Sequence, residues 1–97
     1  MGKNYWQRDG EYQVLRAFVR EVEEPEGYRS RMISQALREE LTPRQREMLH
    51  LYYAKQMPMK LIARELGLNP STVSRTLKRA REKLERCLRY CGADLRA

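Results

Sequence analysis

Seven side chains able to donate hydrogen bonds or carry positive charge crowd one short stretch: Ser71, Thr72, Ser74, Arg75, Thr76, Lys78 and Arg79. Hydroxyl, ammonium and guanidinium groups at this density suit phosphate oxygens and the polar edges of bases. Arg75 offers the most selective chemistry, because its planar fork matches guanine O6 and N7 with two donors at once. Ser71, Thr72 and Ser74 can bond bases or phosphates, whereas Thr76, Lys78 and Arg79 suit phosphates. The bland alternative for each is a solvated helix face. Four further residues could clamp a flanking phosphate backbone: Lys60 and Arg64 just upstream, and Arg44 with Gln45 before them. Both pairs lie near expected helix N-termini, where open amide groups favour anions.

Catalysis finds little material here. His50 is the only histidine, Asp9 and Asp94 are the only aspartates, and no Gly-rich phosphate loop is present. Glu23 and Glu24 are adjacent, but Pro25 and Gly27 place them in a solvated loop. An enzyme is not expected, and no cofactor is implied. Cys87 and Cys91 stand four apart on one helix, a poor geometry for bridging each other. One histidine and no second thiol pair argue against zinc. Reduced, partly buried thiols are the expectation.

The donors must be positioned, and the segment from Met59 to Leu77 supplies the means. Leu61, Ile62 and Leu66 give a helix an apolar face, and Ala63 allows a close crossing. Gly67 follows, where a left-handed backbone is needed, and Leu68 tucks under the turn. Asn69 is a good N-cap and Pro70 fits the first helical position. The result is helix, three-residue turn and second helix, with the donors on the second. That arrangement puts a helix into a DNA major groove.

Other elements support this pair. Thr42-Pro43-Arg44-Gln45 is a capping-box start for a helix that carries Met48, Leu49, Tyr52 and Tyr53 inward to about Lys55. Neither Met57 nor Pro58 offers a side-chain cap to the helix that follows. Two earlier helices are expected, from Glu11 to about Val22 and from Tyr28 to about Glu40. Tyr12, Leu15, Phe18, Val19 and Val22 would face inward on the first. Met32, Ile33, Ala36, Leu37 and Leu41 would do so on the second. Tyr5 and Trp6 are expected to pack back on the body. The last helix runs from Pro70 to Cys91, ~33 Å, with Gly92 as its stop. Its seam of Val73, Leu77, Ala80, Leu84, Cys87 and Cys91 either covers the N-terminal helices or pairs with a second copy. The first option is favoured, because two amphipathic helices need a surface. The fold class is therefore all-α, with about five helices and a C-terminal helix-turn-helix. One domain spans 1–97: an N-terminal helical extension (1–41), the helix-turn-helix unit (42–91) and a tail (92–97).

Charge follows the same division. Residues 1–41 hold seven Lys/Arg against eight Asp/Glu, while residues 42–97 hold thirteen against five. The excess of +7 thus sits wholly in the C-terminal part and points to a polyanionic partner. Glu82 stands four before Arg86, and Glu85 four before Arg89, the favourable order for helix ion pairs. Those arginines are read as surface ion pairs or oligomer contacts, so the free patch ends near Arg79 or Arg81. No apolar run approaches the ~18 residues of a membrane span, and a cytoplasmic protein is expected.

Three segments together resemble a known family. Leu41-Thr-Pro-Arg-Gln-Arg-Glu-Met-Leu49, Ile62-Ala-Arg-Glu-Leu-Gly-Leu68 and Ser71-Thr-Val-Ser-Arg-Thr-Leu-Lys-Arg-Ala-Arg-Glu-Lys-Leu84 look like region 4 of bacterial sigma factors. They are also similar to the related output domains of response regulators. The resemblance implies that the second helix of the motif reads a promoter −35 element and that the domain docks on RNA polymerase. Two departures stand out. Nothing resembles sigma region 2, and Pro58 occupies the place of the usual capping Ser or Thr. A small bacterial or phage regulator of transcription, binding double-stranded DNA, is therefore expected. Two other readings stay open: a module that binds RNA polymerase or a sigma factor, and a DNA-packaging or recombination accessory protein.

Overall fold

The computed structural model describes residues 10–90. Its elements are α1 (Gly10–Glu23), α2 (Tyr28–Glu40), α3 (Pro43–Leu49), a π-helical turn (His50–Ala54), α4 (Met59–Leu66) and α5 (Pro70–Tyr90). No strand occurs among the described residues, so the fold is all-α as expected. Tyr5, Trp6, Cys91 and Gly92 lie outside the described residues.

α5 is the spine. Val73, Leu77, Ala80 and Leu84 are buried along one side of it, and Leu84 is 0% exposed. They join one core with Leu15, Phe18 and Val19 of α1, Leu37 of α2, Met48 and Leu49 of α3, and Ile62 of α4. Cys87 and Leu88 are half-buried against the same core. The seam read from the sequence is therefore spent within the chain down to Leu84.

The N-terminal helices lock to each other through buried polar groups as well as apolar ones. Ser34 Oγ donates to the Val22 carbonyl at 2.7 Å, closing the α1–α2 junction. Ser34 is itself 3% exposed, which makes it a core residue of α2. This corrects the expected face of α2. Met32 is 54% exposed and Ala36 faces solvent, while Ile33, Ser34, Leu37 and Leu41 turn inward. A satisfied serine costs little to bury, so the helix rotates to bury Ser34 and leaves Met32 outside.

The segment after α3 also departs from expectation. The helix reaches Ala54, but its last turn widens to π geometry, with the Lys55 amide bonding the His50 carbonyl at 3.0 Å. A wider turn brings consecutive side chains nearer one face. Tyr52 and Tyr53 are accordingly both buried, at 6% and 1% exposure. Tyr12 joins them, stacked on Tyr53 at 5.0 Å and edge-on to Tyr52 at 5.4 Å. Its hydroxyl donates to the Tyr52 carbonyl at 2.8 Å, at a helix end where backbone donors run out. Burial pushes the Tyr52 phenol up to about 12 and the Tyr53 phenol higher still, so both stay neutral.

Candidate nucleic-acid interface

The turn between α4 and α5 forms as its residues dictate. Gly67 takes φ 67°, ψ 36°, the left-handed region that glycine adopts without penalty. The Leu68 amide then bonds back to the Ala63 carbonyl at 2.8 Å, and Leu68 packs on the core. Asn69 Oδ1 accepts from the Ser71 amide at 2.9 Å and from the Ser71 hydroxyl at 2.7 Å. Asn69 is the cap of α5, and the Ser71 hydroxyl is already turned toward it. Ala63 is 4% exposed and Ile62 is 0% exposed, which seats α4 against α5. At the start of α4, Pro58 gives no side-chain cap, as read from the sequence.

α5 then sorts its donors by angle. At ~100° per residue, Ser71, Ser74, Arg75 and Lys78 share one sector of the helix, away from the buried seam. All four are exposed. Arg79 is exposed on the next sector, while Thr72 and Thr76 lean back and are half-buried. Lys60 and Arg64 are exposed one turn apart on α4. Among the described residues, Lys60, Arg64, Arg75, Lys78 and Arg79 enter no ion pair.

Two expected backbone clamps fare differently. Arg44 is exposed but pairs with Glu47 at 3.3 Å. Gln45 does not join the exposed set. It is 9% exposed, and its Oε1 accepts from the Thr42 amide at 3.1 Å and from Lys83 Nζ at 3.1 Å. The Thr42 hydroxyl in turn accepts from the Gln45 amide at 3.1 Å, completing the capping box. The carboxamide oxygen does the capping, and burial of the side chain takes Gln45 away from the surface where a phosphate would lie.

The ion-pair reading of α5 is also corrected. Glu82–Arg86 and Glu85–Arg89 do not close among the described residues. Glu85 instead lies 4.0 Å from Arg81 and turns toward Glu11 of α1. Partial burial and the hydrogen bond to Glu11 raise its carboxyl above the usual range, against the pull of Arg81 and Arg89. Lys83, which the sequence places in the basic run, points to the other flank. Its Nζ donates to the Glu40 carbonyl at 2.7 Å and so finishes the C-terminus of α2. Nothing in the sequence separates Lys83 from Lys78 except the helical angle.

No group of residues that could hold a metal ion occurs among the described residues. No helix of the described residues is long and apolar enough to cross a membrane. A family model described as sigma-70, region 4 matches residues 31–84, more than half of the chain. The match begins inside α2, upstream of the Leu41 start read from motifs. No curated protein and no solved structure matches the chain.

Proposed function

Because the chain belongs to the sigma-70 region 4 family, whose domains are helix-turn-helix units that bind DNA in transcription initiation, we propose that it binds double-stranded DNA sequence-specifically and regulates transcription. One observation carries this reading: Ser71, Ser74, Arg75 and Lys78 are exposed together on the first turns of α5, behind a turn fixed by Gly67 and Asn69. Arg75 is the reader of base edges, and Ser74 and Lys78 flank it. Arg79, Lys60 and Arg64 hold phosphates on either side, while Thr72 and Thr76 support from the half-buried flank. Arg44 meets Glu47 through one nitrogen and keeps guanidinium donors for the backbone, with its charge partly neutralised. RNA polymerase is the second partner we propose. The exposed Tyr28, Met32 and Ala36 stripe on α2 favours a protein contact.

Selection of bound sites from random duplexes, with and without RNA polymerase, tests both partners. Recovery of one enriched site in either arm is expected, and recovery of none in both arms overturns the reading. Arg75→Lys keeps the charge and loses the fork. It should cut discrimination at one base pair by about 1–3 kcal/mol while leaving non-specific binding in place. Full retention of the preference removes Arg75 as reader.

A further inference from the structure

Beside the exposed donors of α5 lies a cleft of about 120 Å³, and its lining is unusual for this chain. Tyr52 and Tyr53 from the π turn form one wall, Met59 at the start of α4 another, and Ser74, Lys78 and Arg81 of α5 the third. No carboxylate lines it. Lys78 is exposed, with no ion pair among the described residues. Arg81 lies 4.0 Å from Glu85, and it lines the cleft together with the Tyr52 and Tyr53 phenols. Its side chain stays 45% exposed, so guanidinium donors remain to spare. The Ser74 hydroxyl is a further donor at the rim.

We propose that this cleft seats one phosphodiester of the DNA backbone, with Lys78 and Arg81 sharing the same phosphate. The proposal rests on the DNA-binding reading above and adds to it a defined register point. The cleft adjoins the sector of Arg75, so a phosphate fixed there sets how far α5 enters the groove. Tyr52 and Tyr53 are 6% and 1% exposed, so their wall of the cleft belongs to the packed core. A wall packed before DNA arrives lowers the ordering cost of the contact.

Two cations on one phosphate leave a signature in the salt dependence. Each neutralised phosphate adds about 0.9 to the slope of log affinity against log salt. The full chain is titrated with a fixed duplex from 50 to 200 mM salt, alongside Lys78→Gln, Arg81→Gln and the double variant. The double variant should lower the slope by about 0.9, so that the wild type loses ~3.5-fold more affinity over that interval. Two separate phosphates would give about 1.8 instead, and that result overturns the shared seat. An unchanged slope with wild-type binding intact overturns the seat while sparing the DNA-binding reading. Absence of duplex binding by the wild type removes both.

A second measurement avoids any dependence on how Arg81→Gln folds. Single neutral methylphosphonates are walked along the duplex. One position should weaken the wild type several-fold and Lys78→Gln clearly less, because only Arg81 then remains on that phosphate, and no such position overturns the seat. Inorganic phosphate and a nucleoside monophosphate serve as small probes of the same cleft. Saturation by either at micromolar concentration, without competition by duplex, assigns the cleft to a free phosphate ligand and overturns the proposal.

Discussion

Gly67 and Gln56, on either side of α4, have positive φ for opposite reasons, and exchanging them tests the backbone argument from both sides. Gly67 ends α4 at φ 67°, and Gln56 ends the π turn at φ 56°. An ideal Cβ at Gly67 meets nothing within 4 Å, so Gly67→Ala carries no steric clash. Its cost is conformational alone, roughly 1–2 kcal/mol for an L side chain in this region. The alanine also restricts the unfolded chain, which returns about 0.4–1 kcal/mol. The net loss is then about 1 kcal/mol. Gln56→Gly runs the same ledger backwards. It relieves the left-handed strain and loosens the unfolded chain, for a net gain of about 1 kcal/mol.

Thermal and urea unfolding followed by circular dichroism reads both. For a chain of this size each kcal/mol moves Tm by about 4–8 °C. Gly67→Ala should therefore melt about 5 °C lower and Gln56→Gly about as much higher. Gly67→Asn should lose less than Ala, because asparagine tolerates the left-handed region. The two sites flank the eight-residue α4, roughly 12 Å apart, so the double variant should melt within about 2 °C of the wild type. A loss at Gly67→Ala above about 3 kcal/mol would mean that the open space around the turn is not real. A Gln56→Gly variant that melts lower would refute the strain assigned to Gln56.

Other outcomes follow from the polar contacts. Lys83→Met should cost about 1 kcal/mol, because the charged donor to the Glu40 carbonyl and Gln45 is lost. The same variant should leave the salt slope of DNA binding unchanged, and a fall in slope would put Lys83 back on the DNA face. Glu85→Gln should raise Tm at neutral pH. The Glu85 carboxyl is raised in the folded state, so its contribution is favourable at low pH and is lost as pH rises through the raised value. The advantage of glutamine should therefore shrink as pH falls below the ordinary carboxylate range. A Glu85→Gln variant that melts no higher than wild type at pH 7 removes the penalty assigned to the Glu11 contact.

Much of this geometry was legible from residue types, and the failures have particular causes. Gly67, Asn69 and Pro70 marked the turn because glycine accepts the left-handed backbone, asparagine supplies the cap and proline suits the first helical position. Thr42 and Gln45 marked the start of α3, and the capping box forms. The same box draws Gln45 out of the exposed set, since closing it buries the side chain against Thr42 and Lys83. α2 was misread because hydrophobicity alone ranked Met32 and Ala36 above Ser34. The serine wins its inward place through one bond to the Val22 carbonyl, which depends on where α1 ends. The π turn had no local signature, because it follows from fitting Tyr12, Tyr52 and Tyr53 into one cluster.

The structure also changes how the charge excess should be used. Residues 42–97 carry +8 by count, which at 0.9 per phosphate would suggest a slope near −7 if every excess charge met DNA. The described residues divide that charge unevenly. Lys83 is tied to α2, Arg44 to Glu47 and Arg81 to Glu85, and the proposed seat counts Arg81 and Lys78 as one phosphate. Five exposed cations outside any ion pair remain on α4 and the first three turns of α5: Lys60, Arg64, Arg75, Lys78 and Arg79. One of them, Arg75, is assigned to bases, yet its charge still displaces counterions. The expected slope is therefore about −4.5, and binding should weaken ~500-fold between 50 and 200 mM salt. A measured slope near −7 would mean that arginines beyond the third turn of α5, such as Arg86 and Arg89, also reach the duplex. A slope near −2 would mean that α5 does not enter the groove along the sector that exposes Ser74, Arg75 and Lys78.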